Sequence, residues 1–169
     1  MSNTITLTDH QLKQAAEAGM DEFLKVIATR YLDEVGGQLS ADTMDRLSGE
    51  QHTLLAYWIF REEIQEGGFI QLIQNGYGAY IFLNPFAKAI REWGLGELTK
   101  LIYAGRKLYE LHHEELEKEY TEEEFMALYE QFGDFDDLQD QFIIQEEEFT
   151  TLVASYVDEH LDQFITIEK

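Results

Sequence analysis

Residues 48–69 read SGEQHTLLAYWIFREEIQEGGF. Ser48 followed three residues later by Gln51 forms a capping box, which satisfies the orphaned amides at the start of a helix. Behind it, Leu54, Leu55, Trp58, Ile59 and Ile64 recur at helical spacing. Gly67 and Gly68 then end the run, because glycine lets a helix stop sharply. A cap, an apolar stripe and a glycine stop predict one strongly apolar helix.

The same grammar extends in both directions. Thr8 with Gln11 is another capping box. The stripe Leu12, Ala15, Ala16, Gly19, Phe23, Val26, Ile27, Tyr31 predicts a helix that runs to Gly36 and Gly37. A short helical turn is expected from Asp42 to Arg46. After Gly68, Phe69 to Asn75 reads as a short helix with Gly76 as its C-cap. Tyr77 to Trp93 is helical but interrupted near Pro85, the only proline, and ends at Gly94. A longer helix follows, with Leu98, Leu101, Ile102, Leu108 and Leu111 on its buried side. Thr121 with Glu124 opens a helix to about Phe132, and Gly133 breaks it. From Asp136 to Phe164 the pattern gives one bent helix or two. No strand alternation exceeds a few residues. The fold class is all-α, a single multi-helix domain over residues 1–169 with residues 1–7 flexible.

Charge is distributed unevenly. Of 34 acidic residues, 20 lie in positions 110–169, opposed only by Lys118 and Lys169, so this third carries −18 of the formal −22. Such a field attracts basic partners and repels nucleic acid and anionic membranes. Acidic segments can be disordered, but disorder needs few aromatics and low hydrophobicity. This chain is 44% hydrophobic and 13% aromatic, and the acidic third itself contains Phe125, Phe132, Phe135, Phe142 and Phe149. The acids are therefore expected on a folded surface. The absence of cysteine removes disulfides, thiolate metal sites and cysteine nucleophiles. It fits a reducing compartment. Met1 to His10 has neither the basic start nor the apolar core of a signal peptide. No apolar run reaches the roughly 18 residues of a membrane span. A cytoplasmic protein is expected.

Some acids suit their positions. Glu122, Glu123 and Glu124 occupy a first helical turn, where negative charge interacts favourably with the helix dipole. Others do not. Glu114, Glu115, Glu117 and Glu119 load a helix C-terminus, as do Asp158, Glu159 and Asp162 near the chain end. Carboxylates there cost roughly 0.3–1 kcal/mol each at low salt. Glu110, Glu114 and Glu117 form a row recurring about every 5–6 Å. Duplex DNA offers one negative charge per roughly 1.7 Å of axis. Two or three neighbouring acidic helices would approach that density. The acids assigned to a partner surface are Glu110, Glu114, Glu115, Glu117, Glu119, Asp134, Asp136, Asp137, Asp140, Glu146, Glu147, Asp158 and Glu159. The bland alternative is a solvated face kept soluble by its charge.

Catalytic and metal motifs fail on inspection. Glu110-Leu111-His112-His113 contains a single E-x-x-H, whereas di-iron bundles need two with two further glutamates. Solvated histidines are expected. His113-Glu114-Glu115 is not a zinc-protease helix. Asp134, Asp136, Asp137 and Asp140 suggest calcium, yet an EF-hand starting at Asp134 would place Gln139 where glycine is needed and Gln145 where glutamate is needed. Gly67-Gly68 and Gly76-x-Gly78 lack the strand and lysine of a phosphate loop. Neither an enzyme nor a bound cofactor or metal is expected.

Glu63-Ile64-Gln65-Glu66-Gly67-Gly68-Phe69-Ile70-Gln71-Leu72-Ile73-Gln74-Asn75 resembles the signature E-[VI]-x-N-G-G-F-x-Q-[YF]-x-x-N of a bacterial DNA-mimic protein family. Phe135-Asp136-Asp137-Leu138-Gln139-Asp140-Gln141-Phe142 is similar to a stretch near that family's C-terminus. The resemblance spans roughly residues 40–165. Glu66 stands where the family has Asn, Leu72 where it has an aromatic residue, and Gln139 where it has an acid. The resemblance implies an all-helical fold and an acidic surface that imitates DNA. Read from its residues, the motif is a fold-specifying corner in which Gln71 and Asn75 share a face and Asn75 caps the helix end. A ligand pocket at this corner is the alternative.

The leading expectation is a non-enzymatic binding protein that occupies the basic DNA-binding surface of a repressor, nucleoid protein or nuclease. It would touch neither nucleic acid nor membrane directly. An immunity protein neutralising one cognate toxin is the alternative, and a small-molecule binder comes third. The apolar helix faces leave a homodimer open.

Overall fold

Thr8 caps its helix as the sequence predicts. Its hydroxyl accepts the Gln11 amide at 3.1 Å, and the Gln11 side chain accepts the Thr8 amide at 2.9 Å. Ser48 with Gln51 and Thr121 with Glu124 repeat this reciprocal arrangement. The computed structural model describes residues 5–37 and 39–168. Among these, eight α-helices, three short 3-10 turns and one pair of three-residue strands make up the regular structure. The fold is all-α. The chain divides into two compact units, one of Met1–Trp58 with Thr150–Lys169, the other of Ile59–Phe149.

The first unit contains β1 (Thr6–Thr8), α1 (Asp9–Ala18), α2 (Met20–Glu34) and the first ten residues of α3 (Gly49–Gln74). The end of α8 (Asp136–Glu159) and β2 (Thr166–Glu168) complete it. Where the apolar stripe predicts one helix over residues 8–36, the chain breaks at Gly19. Its φ of 139° and ψ of 169° belong to glycine alone, so α1 and α2 are separate helices. Residues 5–7 differ from the flexible start expected over 1–7. Residues 1–4 lie outside the described residues. Ile5 and Leu7 are buried, and β1 runs parallel to β2 with Thr6 opposite Thr166. Apolar alternation across three residues is too brief to read as a strand. Leu24, Ile27, Ala28, Leu54, Leu55, Val153 and Val157 fill the interior. Tyr31 donates to the Phe164 carbonyl at 2.6 Å, and Gln51 donates to the same oxygen at 3.1 Å.

The second unit contains the rest of α3, then α4 (Gly78–Phe82), α5 (Phe86–Glu92), α6 (Gly96–Leu116), α7 (Glu122–Gln131) and α8 as far as Phe149. Its interior is aromatic. Phe69 stacks on Phe135 at 5.5 Å and meets Phe60 edge-on at 5.7 Å, and Phe60 meets Phe142 at 5.0 Å. Gly105 lets α6 approach this cluster, since a Cβ there would lie 3.0 Å from the rings of both Phe69 and Phe82. The buried side of α6 is Leu98, Leu101, Ile102, Gly105, Tyr109 and Leu116. Leu111, expected on that side, is instead 74% exposed, because Gly105 and Tyr109 hold the inward positions along this part of the helix.

Tyr31, Tyr80 and Tyr109 carry the strongest pH signature. Burial pushes the Tyr31 and Tyr80 phenols well above their ordinary value, and burial with a hydrogen bond to Glu117 does the same for Tyr109. The folded chain therefore holds protons that the unfolded chain releases near pH 10, and stability falls as pH rises above about 10. Phenolate absorbance is expected to show a slow-titrating class that joins the others only on unfolding. A single titration of all tyrosines near pH 10 in the folded protein would contradict this.

Candidate functional site

The corner at residues 63–75 is held by one carboxylate. Gln71 Nε2 donates to Glu63 Oε2 at 2.6 Å, and Asn75 Nδ2 reaches both Glu63 oxygens at 3.0 and 3.1 Å. Asn75 thus spends its side chain on Glu63 and not on a helix cap. The helix end is closed by backbone bonds from Gly76 to Ile73 and from Tyr77 to Leu72, with Gly76 at φ 89°. Gly68 adopts φ 78° and ψ −171°, interrupting α3 at the point where the sequence predicts a stop. Tyr129 of α7 donates to the Gly67 carbonyl at 2.8 Å. The Gln139 amide of α8 lies over Gly68, where an added Cβ would collide with its oxygen. Burial, with the Glu63 carboxylate second, raises the phenols of Tyr77 and Tyr129. The motif residues Glu63, Gly67, Gly68, Phe69, Gln71 and Asn75 therefore form a corner bonded to itself and to α7, with Gln139 of α8 lying over it.

The acids assigned to a partner surface fall in both units. Asp158 and Glu159 end α8 in the first unit, and both are exposed. The other eleven lie in the second unit. Within it, residues 59–109 carry five acidic and six basic side chains, a formal +1, whereas residues 110–149 carry 16 acidic against Lys118 alone, a formal −15. Glu110, Glu114, Glu115, Glu117, Glu119, Asp134, Asp136, Asp137, Asp140 and Glu147 are all exposed.

Several of these carboxylates have local partners at helical spacing. Arg106 meets Glu110 at 2.7 Å, and Lys118 meets Glu115 at 2.8 Å. The Lys118 ammonium holds the Glu115 carboxyl below its ordinary range. Glu117 accepts from Tyr109 at 2.8 Å and lies 3.0 Å from His113 Nδ1. The C-terminal end of α6 is thus partly compensated by a lysine, a phenol and an imidazole. Asp136 and Asp137 open α8, where the dipole favours them. Glu146 stands apart. It is half-buried, accepts from Arg61 Nε at 3.0 Å and from Gln65 at 3.1 Å, and so serves the interior of the unit.

Solvated histidines are expected from the sequence, yet four are engaged. His112 lies against Phe132 and Phe135 with Nε2 3.0 Å from Asp134, and His113 packs on Tyr109. His52 reaches the Met44 carbonyl, and His160 stacks on Tyr156. Nothing in the sequence marks Arg61 or Tyr129, and Gln139 stands out there only as a departure from the family motif. Each acts on a residue more than 60 positions away, a distance over which no local signal operates. Among the described residues, no helix is long and apolar enough to cross a membrane.

The profile of a family described as DMP19-like protein matches residues 45–160. The chain is similar to the DNA mimic protein DMP19 of Neisseria meningitidis serogroup B (strain ATCC BAA-335 / MC58). The two are 30% identical over 145 residues, which cover 85% of this chain and 87% of that relative.

Proposed function

The chain belongs to the DMP19-like protein family, and on that premise we propose that it is a binding protein acting as a DNA mimic. It occupies the basic DNA-binding surface of a partner such as a repressor, nucleoid protein or nuclease, and performs no catalysis. The observation that carries this reading is the step in charge within one unit, from +1 over residues 59–109 to −15 over residues 110–149. All of those acids except the half-buried Glu146 are exposed on α6, α7, α8 and the turns between them, at spacings that basic side chains selected for phosphates can meet. Glu114, Glu119 and Asp140 are the members best placed to act on a partner, since none of them enters the ion pairs described above.

The full chain, immobilised at low salt, is expected to capture a DNA-binding protein that duplex DNA then displaces. Affinity for the recovered protein should fall steeply with salt. The variant Glu114→Lys/Glu119→Lys/Asp140→Lys should bind it on the order of a hundredfold more weakly, because like charges then face one another. Helical circular dichroism should not change. Full binding by that variant, or a captured protein that DNA fails to displace, would sink the reading.

A further inference from the structure

Among the described residues, the three most exposed large apolar side chains are Ile144 at 81%, Leu111 at 74% and Met126 at 61%. All three lie in the second unit, one on each of the helices α8, α6 and α7. At 100° per residue, Asp137, Asp140, Glu147 and Glu148 surround Ile144 on the outward face of α8, and all four are exposed. Leu111 has Glu114 and Glu115 one turn ahead of it, and Met126 has Glu122, Glu123 and Glu130 one turn to either side. A single exposed apolar residue is ordinary. Here the acidic segment repeats one arrangement on three helices, an apolar centre within a carboxylate rim.

A surface that copied only the phosphate backbone would need carboxylates and nothing apolar between them. We infer that Ile144, Leu111 and Met126 are specificity-determining contacts of the acidic surface. Their occupant is a basic protein whose cationic face is interrupted by apolar side chains, as on an amphipathic basic helix. Charge complementarity selects the basic face, since residues 110–149 carry a formal −15. The apolar centres then favour partners that bury them over surfaces that are merely basic. Binding thus has a salt-sensitive part from the carboxylates and a salt-resistant part from these three residues. The inference rests on the binding role proposed above.

Two helical peptides of equal length and charge test it with the full-length chain. One pairs a lysine face with a leucine stripe, and the other replaces those leucines with alanine. Their affinities are measured by fluorescence anisotropy across a salt series. The leucine peptide should bind at least about tenfold more tightly at high salt. In Leu111→Ala/Met126→Ala/Ile144→Ala that preference should largely disappear, while the dependence on salt keeps its slope. A variant that retains the preference, a wild type that lacks it, or no binding of either peptide at low salt would overturn the inference. The two readings fail separately. Lost preference with intact displacement by duplex DNA removes the apolar contacts alone, and the opposite result removes the mimicry.

Discussion

Phe69→Ala is expected to lower the stability of the Ile59–Phe149 unit by about 3–5 kcal/mol, the usual cost of removing a buried phenylalanine. Phe69 is 1% exposed and touches three other rings, Phe60, Phe82 and Phe135, at 5.7, 6.3 and 5.5 Å. Its ring also faces Gly105, where α6 comes closest. Collapse around the cavity is hindered because the neighbours are themselves rigid aromatics held by one another. The cost should therefore fall toward the upper end of that range. Phe69→Leu keeps most of the volume and should cost less than about 1.5 kcal/mol. Urea titration followed by circular dichroism separates the two, and a loss under about 1 kcal/mol for the alanine variant would show that the cluster repacks freely.

Arg61→Ala carries the second large effect. Arg61 is 8% exposed and bonds Glu146 at 3.0 Å and Glu62 at 2.9 Å. Removing one member of a buried pair typically costs about 3–5 kcal/mol, because the survivor stays charged without its partner. Glu146 keeps 17% of its side chain accessible, so some water reaches it, and about 2–4 kcal/mol is expected. The double variant Arg61→Met/Glu146→Met leaves only the exposed Glu62 without its partner and should recover most of that loss. If both variants unfold at the same urea concentration, the ion pair is not what Arg61 contributes. The sequence places Glu146 among the partner-facing acids, yet its replacement is expected to act on folding before it acts on binding.

What the sequence makes legible is local. Thr8, Ser48 and Thr121 each announce a helix start through a residue three positions on, and all three boxes form. Gly68 and Gly76 announce stops, and both adopt positive φ. Gly19 misleads because a glycine at helical spacing within an apolar stripe resembles a tolerated helix residue. Leu111 misleads because apolar identity alone cannot say which of two adjacent stripes turns inward, and Gly105 with Tyr109 decides that through contacts with Phe69 and Phe82. The corner shows the same limit. Its glycines and its Gln71–Asn75 face are readable, but Tyr129 on Gly67 and Gln139 over Gly68 come from distant helices. For the acids, exposure could be anticipated from charge, whereas the withdrawal of Glu146 needed Arg61, 85 residues away.

The two-part makeup of the first unit sets an order of events during synthesis. Tyr31 donates to the carbonyl of Phe164, 133 positions later, and β1 waits for β2. The Ile59–Phe149 unit is continuous in sequence and can leave the ribosome whole. Residues of α2 such as Phe23 and Tyr31 meanwhile lack the segment that covers them. At about 5–20 residues per second, the wait from Trp58 to the last strand lasts on the order of 5–20 s. During that interval the nascent chain offers an uncovered apolar helix to chaperones and to its neighbours on the same message. A chain interrupted after Phe149 would be left permanently in that condition, carrying one finished unit and one that lacks its closing piece.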